Sequence, residues 1–434
     1  MLDDEKNQSL VEVSRGTPMG ELLRRYWMPI AAVSEIENLV TKPIRLLGED
    51  LVLYRDLSGN YGLVDRHCPH RRADLSYGFV ETCGIRCNYH GWLFDAEGTC
   101  LEQPFENVAN VAAAFKDRIR ATAYPVQARA GLLWAYLGPQ PAPLVPNWEP
   151  FTWQNGFRQI VFSEIPCNWF QCQENSIDPV HFEWMHSNWR IRQRGERGPY
   201  VPTTVRIGFE EFDYGYRWRR ITADKDESDE YWAIGRVCLW PNALYTSDHI
   251  EWRVPIDDEN TLSVTWAFTP AIVERRPFVQ DRIPYWYGPI KDPLTGRWIT
   301  SHTMNQDFVA WVGQGVVADR SKEHLAASDR GITLIRKRFF DDMQAVAANR
   351  DPKGLVRDER INECVRLPVT LRDYYTNGIS YRDYTPASHY KIHNSMSLQY
   401  QWQVGEPDDI RRQRHEAITL PGGVASGVAL ARRN

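Results

Sequence analysis

The sequence predicts an α+β chain in which an antiparallel β domain precedes a larger domain that combines an antiparallel sheet with helices. Short alternating stretches such as PIRLLGEDLVLYRD are separated by glycine and asparagine turns in the first third of the chain. Beyond a proline-rich segment, helix-like runs are mixed with strand-like stretches such as TLSVTWAFTP. We therefore expect an N-terminal domain over residues 1–140, a linker over 137–150 and a second domain over 151–434.

Local signals place the first elements and the linker. In TPMGELLRRYWMP, Thr17 fits the N-cap of a short helix, Pro18 fits its first turn and Pro29 is expected to end it. The linker LGPQPAPLVPNWEP is stiffened by five prolines. Helices are predicted within residues 303–350. The last 60 residues show weak periodicity, so we expect them to wrap the second domain in extended form or to form an oligomer contact.

Composition excludes several classes of protein. The 434 residues suffice for two to three domains, and a net charge of −5 does not suggest a nucleic-acid partner. The N-terminus MLDDEKNQSL lacks the apolar core of a secretory signal, and no apolar run is long enough to span a membrane. We therefore expect a cytoplasmic location. The eight cysteines are expected to be free thiols or metal ligands, with Cys167 and Cys172 packed as thiols.

Two short clusters each mix one cysteine with one histidine, Cys68-Pro-His70 and Cys87-Asn-Tyr-His90. Zinc knuckles usually pair cysteine with cysteine and histidine with histidine. A Rieske [2Fe–2S] centre requires the mixture, because two thiolates bind one iron and two imidazoles bind the other. The arrangement therefore favours a Rieske centre, with a structural zinc site as the alternative.

A second group of polar residues follows in QENSIDPVHFEWMH, which contains Asn175, Asp178, His181 and His186. Two histidines and one carboxylate on one face of an iron(II) ion leave open positions for dioxygen. A regular helix would rotate residues five apart by about 140°. We therefore expect the helix to be irregular, or to end, between the two histidines.

These motifs resemble a known family of enzymes. The run HCPHRRADLSYGFVETCGIRCNYHGWLFD resembles the Rieske domain of ring-hydroxylating oxygenases, and NSIDPVH resembles their mononuclear-iron motif. With GTPMGELLRRYWMP and QDFVAWVGQG, the chain is similar to the phthalate-dioxygenase-type branch. The resemblance implies a helix-grip catalytic domain, a [2Fe–2S] cluster, a mononuclear Fe(II), and a homotrimer or stacked trimers.

The resemblance also assigns roles to residues. It makes His181 and His186 iron ligands, and it places Asn175 near the iron. Asp178 matches an acidic residue that contacts a Rieske histidine of the neighbouring subunit, here His90, and passes the electron.

The third iron ligand is expected from downstream. Asp307 is the candidate because its spacing to Gln314 resembles the ligand helix of the family. Asp319 is the competitor, although its neighbour Arg320 suggests an ion pair instead. His302 and His324 are expected to be surface or packing histidines.

The resemblance implies O-demethylation of a methoxylated aromatic acid, and it points to lignin-derived biaryls as the substrate class. This reaction consumes O2 and electrons from a separate NADH-dependent reductase, with or without a ferredoxin, because the chain has no dinucleotide-binding glycine motif. The alternatives are ring hydroxylation of a phthalate-like acid and an electron-transfer protein without catalytic iron.

A carboxylated substrate requires a cation in the pocket, and arginine binds carboxylates in a bidentate manner. The predicted sheet offers several candidates, of which most are expected to form surface ion pairs. His249, Glu251 and Arg253 share strand parity and should face the same way. The candidates are Arg217, Arg219, Arg236, His249 and Arg253.

Overall fold

The computed structural model describes residues 2–106, 113–198, 200–380 and 398–420. The described residues form an α+β fold with three small antiparallel sheets and one large sheet. This confirms the predicted fold class.

The strands of the N-terminal part of the chain form three antiparallel sheets. In chain order they are β1 Trp27–Ala32, β2 Thr41–Leu46, β3 Glu49–Arg55, β4 Tyr61–Asp65, β5 Phe79–Glu81, β6 Gly84–Arg86, β7 Leu93–Phe94, β8 Cys100–Glu102, β9 Ala123–Tyr124, β10 Val126–Arg129 and β11 Leu132–Tyr136. The sheet orders are β1-β11-β10, β2-β3-β4-β9 and β5-β6-β7-β8. One cysteine-histidine loop follows β4, and the other connects β6 to β7.

The remaining strands form one eight-stranded sheet with the order β13-β14-β15-β16-β17-β18-β12-β19. All neighbours are antiparallel except β12 and β19. The central strands β17 and β18 are buried along most of their length. These strands are β12 Gly156–Ile165, β13 Thr204–Phe212, β14 Gly215–Thr222, β15 Arg236–Leu239, β16 Ala243–Tyr245, β17 His249–Pro255, β18 Thr261–Pro270 and β19 Tyr285–Tyr287.

Seven of the twelve helices described below begin at a residue whose side chain caps the helix. Asp178 caps the helix that carries both histidines, and Pro179 occupies its first position. The helices are α1 Asp4–Val11, α2 Pro18–Leu23, α3 Val33–Ile36, α4 Glu149–Thr152, α5 Trp169–Asn175, α6 Pro179–Gln193, α7 Glu230–Ala233, α8 Thr303–Val312, α9 Arg330–Ala347, α10 Glu359–Asn362, α11 Arg372–Asn377 and α12 Asp408–Ala417. The helices predicted within 303–350 are therefore present as α8 and α9.

The end of the first predicted helix is wrong. Thr17 caps α2 as expected, but α2 ends at Leu23, and Pro29 lies inside β1 rather than closing the helix. The apolar residues of β1 are buried and pair with β11, which outweighs local helix propensity. Pro29 cannot donate a ladder hydrogen bond, and it lies at an edge strand beside a register shift.

None of the eight cysteines forms a disulfide within the described residues, which agrees with the prediction of free thiols or metal ligands. Cys167 and Cys172 are completely buried, with their Sγ atoms 3.7 Å apart. In the C-terminal region, residues 381–397 and 421–434 of the predicted wrapping segment lie outside the described residues, whereas 408–417 form α12. Among the described helices, none combines the length and apolar character needed to cross a bilayer.

Candidate metal centres and cavity

Backbone hydrogen bonds close each of the two cysteine-histidine loops. In the first loop, the amide of Arg72 donates to the carbonyl of Cys68 at 2.9 Å. In the second loop, the amide of Cys87 donates to the carbonyl of Trp92 at 2.8 Å. The amide of Gly91 donates to the carbonyl of Cys87 at 3.0 Å. Gly91 has φ +77°, which glycine adopts without strain. Both loops are thus fixed by their own backbone.

The four predicted cluster ligands meet at the tips of these loops. The rings of His70 and His90 lie 4.6 Å apart, and the thiols of Cys68 and Cys87 are buried. Burial raises the pKa of Cys68 to about 12, and the neighbouring Cys87 contributes. His70 also stacks on Trp92 at 4.3 Å.

The donor set fits a two-iron cluster. The Nδ1 atom of His70 is buried without a hydrogen-bond partner, an arrangement that a bound metal would satisfy. Burial and the nearby His90 lower the pKa of His70, which favours the neutral imidazole that binds metals. Two thiols and two imidazoles converge, as a Rieske centre requires.

A second group of metal-binding atoms is formed by His181 and His186 of α6 and Asp307 of α8. Their ligand atoms all lie within 4.8 Å of one another. Asp307 Oδ1 is 3.6 Å from His181 Nε2 and 3.5 Å from His186 Nε2. This set of two imidazoles and one carboxylate suits iron(II) with open positions.

The expectation of an irregular helix between the histidines is wrong. The helix α6 runs without a break from Pro179 to Gln193. The imidazoles themselves approach each other, with ring centres 5.8 Å apart. The two imidazoles can therefore converge from positions five apart on a continuous helix. Asp307 approaches both imidazoles from a different helix.

A hydrogen bond behind His186 and a carboxylate contact behind His181 set the orientation of the two imidazoles. The amide Nε2 of Gln306 donates to the carbonyl of Thr300 at 3.0 Å, so its Oε1 faces His186 and accepts from Nδ1 at 2.8 Å. Asp178 Oδ2 lies 3.3 Å from Nδ1 of His181. Such partners fix the tautomer and leave the other ring nitrogen for a metal.

Burial and the nearby carboxylates act in opposite directions on the two imidazoles. Burial lowers the pKa of His181, but the contact with Asp178 and the charge of Asp307 outweigh it, so the pKa is raised overall. Burial lowers the pKa of His186, whose Nε2 is buried without a hydrogen-bond partner. Asn175 Nδ2 donates to Asp307 Oδ1 at 3.3 Å and so positions the carboxylate.

The competing downstream residues lie elsewhere. Asp319 is exposed and pairs with Lys322 at 2.7 Å, and not with Arg320 as expected. Arg320 is buried and pairs with Glu174 at 2.6 Å, because the buried carboxylate needs a cation more than an exposed one does. His324 is exposed, as expected.

His302 is not part of the metal-binding group, as expected, but it lines the cavity beside that group. Its Nδ1 accepts a hydrogen bond from the amide of Met304 at 3.3 Å and caps α8. Burial and the neighbouring His249 lower its pKa to about 4.

The cavity has a volume of about 250 Å³ and opens onto the iron group. Arg236 and His249 line it, together with Arg190 of α6. The Arg236 guanidinium stacks on the ring of Phe182, 3.9 Å from its centre. Within the described ranges, Arg236 has no carboxylate in ion-pair contact, so its charge is available to an anion.

The other arginine candidates are engaged elsewhere. Arg253 faces the same way as His249 and Glu251, but it pairs with Glu251 at 3.0 Å and is almost fully buried. Arg217 and Arg219 both pair with Glu210 on the neighbouring strand. Their ion pairs match the expectation for most of these arginines.

Several residues of the iron group and its cavity were not identified from sequence. Gln306 adjoins the predicted ligand Asp307, but nothing in its position in the sequence shows which side chain it orients. Tyr400 and Trp402 lie about 95 residues further along the chain and still line the same cavity. Only the packing of the C-terminal segment against the sheet brings them there.

Comparisons with known proteins agree with this geometry. The Rieske [2Fe-2S] domain family matches residues 26–114, which contain both cysteine-histidine loops. The family described as LigXa C-terminal domain like matches residues 202–367, which contain Asp307. The first match confirms the Rieske centre over the zinc alternative.

Full-length relatives are also found. The chain is 54% identical over 421 residues to the 5,5'-dehydrodivanillate O-demethylase oxygenase subunit of Sphingobium sp. (strain NBRC 103272 / SYK-6), covering 97% of this chain and 98% of that protein. It is 31% identical to the phthalate 4,5-dioxygenase oxygenase subunit of Pseudomonas putida, covering 82% and 89%.

A solved structure shares the fold. A carbazole-bound oxygenase in the ferredoxin complex of carbazole 1,9a-dioxygenase has a TM-score of 0.53 and 20% identity, covering 83% of this chain and 97% of that one. Sequence and fold thus agree with the predicted Rieske cluster and mononuclear iron. The chain belongs to the Rieske non-haem iron oxygenases, in the phthalate-dioxygenase-type branch, and is an oxygenase component.

Proposed function

We propose that this chain O-demethylates a methoxylated aromatic acid of the lignin-derived biaryl class, such as 5,5'-dehydrodivanillate. The observation that carries this proposal is the 54% identity, over 97% of the chain, to an oxygenase subunit with that activity. The 31% identity to a phthalate dioxygenase subunit makes ring hydroxylation the competing outcome of the test.

The two metal centres are assigned to the residues that converge. Cys68, His70, Cys87 and His90 would hold the cluster, and His181, His186 and Asp307 would hold the iron. When bound, the cluster would supply single electrons and the iron would supply the site of dioxygen activation. Asn175 positions the carboxylate of Asp307.

The net reaction balances with two electrons from NADH. One oxygen atom of O2 enters a C–H bond of the methoxy group, and the other leaves as water. The resulting hemiacetal breaks its C–O bond to give a phenol and formaldehyde. A separate reductase, with or without a ferredoxin, supplies the electrons, and the need for NADH is in keeping with a cytoplasmic location.

The cavity residues bind and orient the substrate in this proposal. Arg236 has no carboxylate partner among the described residues, and its guanidinium can bind a carboxylate with two hydrogen bonds. His249, held by Thr246 at 2.9 Å, offers a polar contact on the same cavity wall. Arg253 is not expected to contact the substrate, because its guanidinium forms a buried ion pair with Glu251.

Electron transfer is proposed to cross between copies of the chain in a trimer. Asp178 has a partly exposed carboxylate beside His181 and is flanked by the exposed side chains of Val180 and Trp184. The described residues show no hydrogen bond or ion pair from Asp178 to His90 of the same chain. Exposed aromatic residues also surround the cluster loops, including Tyr77, Phe79 and Tyr89. Apolar patches of this kind typically mark interfaces.

The activity is tested by turnover with purified protein, a compatible reductase and NADH. We expect a methoxylated biaryl acid to yield formaldehyde and a product that has lost one CH2 unit. Phthalate serves as the control substrate. Oxygen added to phthalate without formaldehyde from the biaryl would replace this proposal with ring hydroxylation.

The trimer is tested with Trp184→Glu, which places a charge in the exposed patch beside Asp178. We expect a shift from trimer to monomer in light scattering, with the visible spectrum of the cluster retained. Leu294→Glu is the matched control, because Leu294 is exposed and lies outside this patch. A wild-type monomer that reoxidises its cluster at the full turnover rate would exclude transfer between subunits.

A further inference from the structure

The segment Tyr400–Ile418, called here the roof segment, forms part of the wall of the cavity that contains the iron group. Tyr400, Trp402 and Ile418 all line this cavity. The segment lies beyond residue 367, where the second family match ends, and so belongs to neither matched region. A cavity wall outside the shared regions is a place where specificity can be set independently of the metal chemistry.

We propose that Tyr400 and Trp402 contact the second ring of a two-ring aromatic acid and thereby determine the preference for biaryl over single-ring substrates. The inference rests on the proposed function and names which residues select its substrate class. Glu406 and Arg414 act as positioning residues, because they hold the two aromatic residues without lining the cavity.

A buried ion pair fixes the backbone of both aromatic residues. Arg414 donates from Nε and Nη2 to the two carboxylate oxygens of Glu406, each at 2.9 Å, and both side chains are essentially inaccessible to solvent. The same Nη2 donates to the carbonyl of Tyr400 at 2.8 Å. Glu406 Oε2 accepts from the amide of Trp402 at 2.9 Å. One bidentate pair therefore places both residues.

The ion pair is in turn attached to the large sheet. Gln159 of β12 donates to Glu406 Oε1 at 3.0 Å and accepts from the indole N–H of Trp286 at 2.9 Å. At the other end of the segment, the amide of Ile272 donates to the carbonyl of Ala417 at 3.0 Å. These contacts attach the roof segment to the rest of the domain at two points, the Glu406 carboxylate and the carbonyl of Ala417.

Glycine permits the close approach of the roof segment to the chain that follows β19. Gly405 has φ +88°, and a Cβ atom there would lie 2.6 Å from Cδ of Pro289. Any larger residue would push the roof segment away from the sheet and displace Trp402.

The cavity is larger than one ring requires and has aromatic groups that can contact part of a second ring. A cavity of roughly 150 Å³ holds one benzene ring, so about 250 Å³ leaves room beyond a single ring. Trp402 lies 5.5 Å from the ring of His249 and perpendicular to it, and Tyr374 of α11 also lines the cavity. Aromatic rings favour offset and edge-to-face contacts of this kind with other rings.

The experiment compares one-ring and two-ring methoxylated aromatic acids, measuring binding by calorimetry on the oxidised holoenzyme and turnover by formaldehyde release. We expect Trp402→Ala and Tyr400→Ala to lower kcat/KM for the biaryl by roughly 10- to 100-fold. The change for the one-ring acid should stay within about threefold. Trp232→Ala, on α7 and outside the cavity, is the matched control and should change neither value.

The positioning role of the Arg414–Glu406 pair is tested with Arg414→Lys. Lysine retains a charge for Glu406 but cannot bridge Glu406 and the Tyr400 carbonyl in the same planar fork. We expect Arg414→Lys to raise KM for the biaryl while kcat and the iron content stay close to wild type. A fall in iron content with unchanged KM would show a merely structural role and overturn this assignment.

The outcomes separate the inference from the proposed function. Equal losses for one-ring and two-ring acids in the roof variants, or no loss, would overturn the inference alone. A wild-type protein that binds two-ring acids no more tightly than one-ring acids would also overturn it. A wild-type protein that prefers the biaryl but hydroxylates it without releasing formaldehyde would refute the proposed demethylation and support the inference.

Discussion

The cluster loops and the iron group differ in how far along the chain they gather their ligands. The four cluster ligands lie within 23 residues, and each loop is closed by its own backbone hydrogen bonds. The iron group joins α6 to Asp307, more than a hundred residues away, and depends on the packing of α8. The cluster loops should therefore retain their metal when substitutions disturb packing elsewhere in the chain. The iron group should lose its metal when the packing of α6 against α8 is disturbed.

The largest expected effect is from Asp307→Ala, which removes the only carboxylate of the iron group. We expect the iron content to fall from about three to about two atoms per chain, since a Rieske cluster retains two, and turnover to fall below detection. Metal analysis and the visible spectrum measure both centres. Asp319→Ala is the matched control and should keep the third iron, since Asp319 is exposed and pairs with the surface residue Lys322. Loss of iron in that control would transfer the ligand role to Asp319.

Glu174→Gln should have the next largest effect, because it leaves the buried Arg320 and Arg336 without their shared carboxylate. Breaking a buried pair of this kind costs about 3–5 kcal/mol of unfolding free energy. Although burial opposes it, the two arginines lower the pKa of Glu174, so its stabilisation is present above about pH 4.5 and is lost as the pH falls. Denaturant unfolding should therefore show a deficit at pH 7 that shrinks toward pH 4.

The control for that measurement is Glu196→Gln, at an exposed position in the turn after α6. It should change stability by less than about 0.5 kcal/mol. A Glu174→Gln deficit that grows as the pH falls would contradict the assignment of a lowered pKa.

Gln306→Leu should weaken the iron site without touching a ligand. It removes the acceptor of the Nδ1 proton of His186, so the ring is free to rotate or change tautomer. Loss of such a partner typically lowers metal affinity by about 10- to 100-fold. Competition with a chelator measures it, with the cluster spectrum unchanged. Gln314→Leu, at an exposed position after α8, is the control, and equal iron loss in both variants would rule out a specific role for Gln306.

Gly91→Ala should have the smallest effect and act on the other centre. A Cβ atom at φ +77° is strained and would lie 3.2 Å from Cγ of Pro104, at a cost of about 1–2 kcal/mol. We expect the cluster absorbance to bleach at a lower temperature while the mononuclear iron is retained. Gly195→Ala has a similar φ with open space around it and should leave the bleaching temperature unchanged. Simultaneous loss of both metals in Gly91→Ala would show that the two centres are not independent.

The cluster could be predicted from sequence almost completely, because its ligands and its turn residues are neighbours in the chain. The histidines of the iron group were also recognisable, yet the shape of their helix was not. We expected a break between His181 and His186, but α6 is continuous and the side chains converge instead. Similarly, Pro29 looked like a helix end until pairing with β11 placed it in a strand.

The sequence by itself determined the fold class, the cluster motif and the class of chemistry, because these depend on local spacing and alternation. Only the tertiary structure decided which side chains face the cavity and which are held in ion pairs elsewhere. It paired Arg253 with Glu251, left Arg236 open to the cavity and brought Trp402 over the same space. These outcomes depend on burial and on which partners meet across a sheet, and such contacts between distant residues leave no periodic signal in the chain.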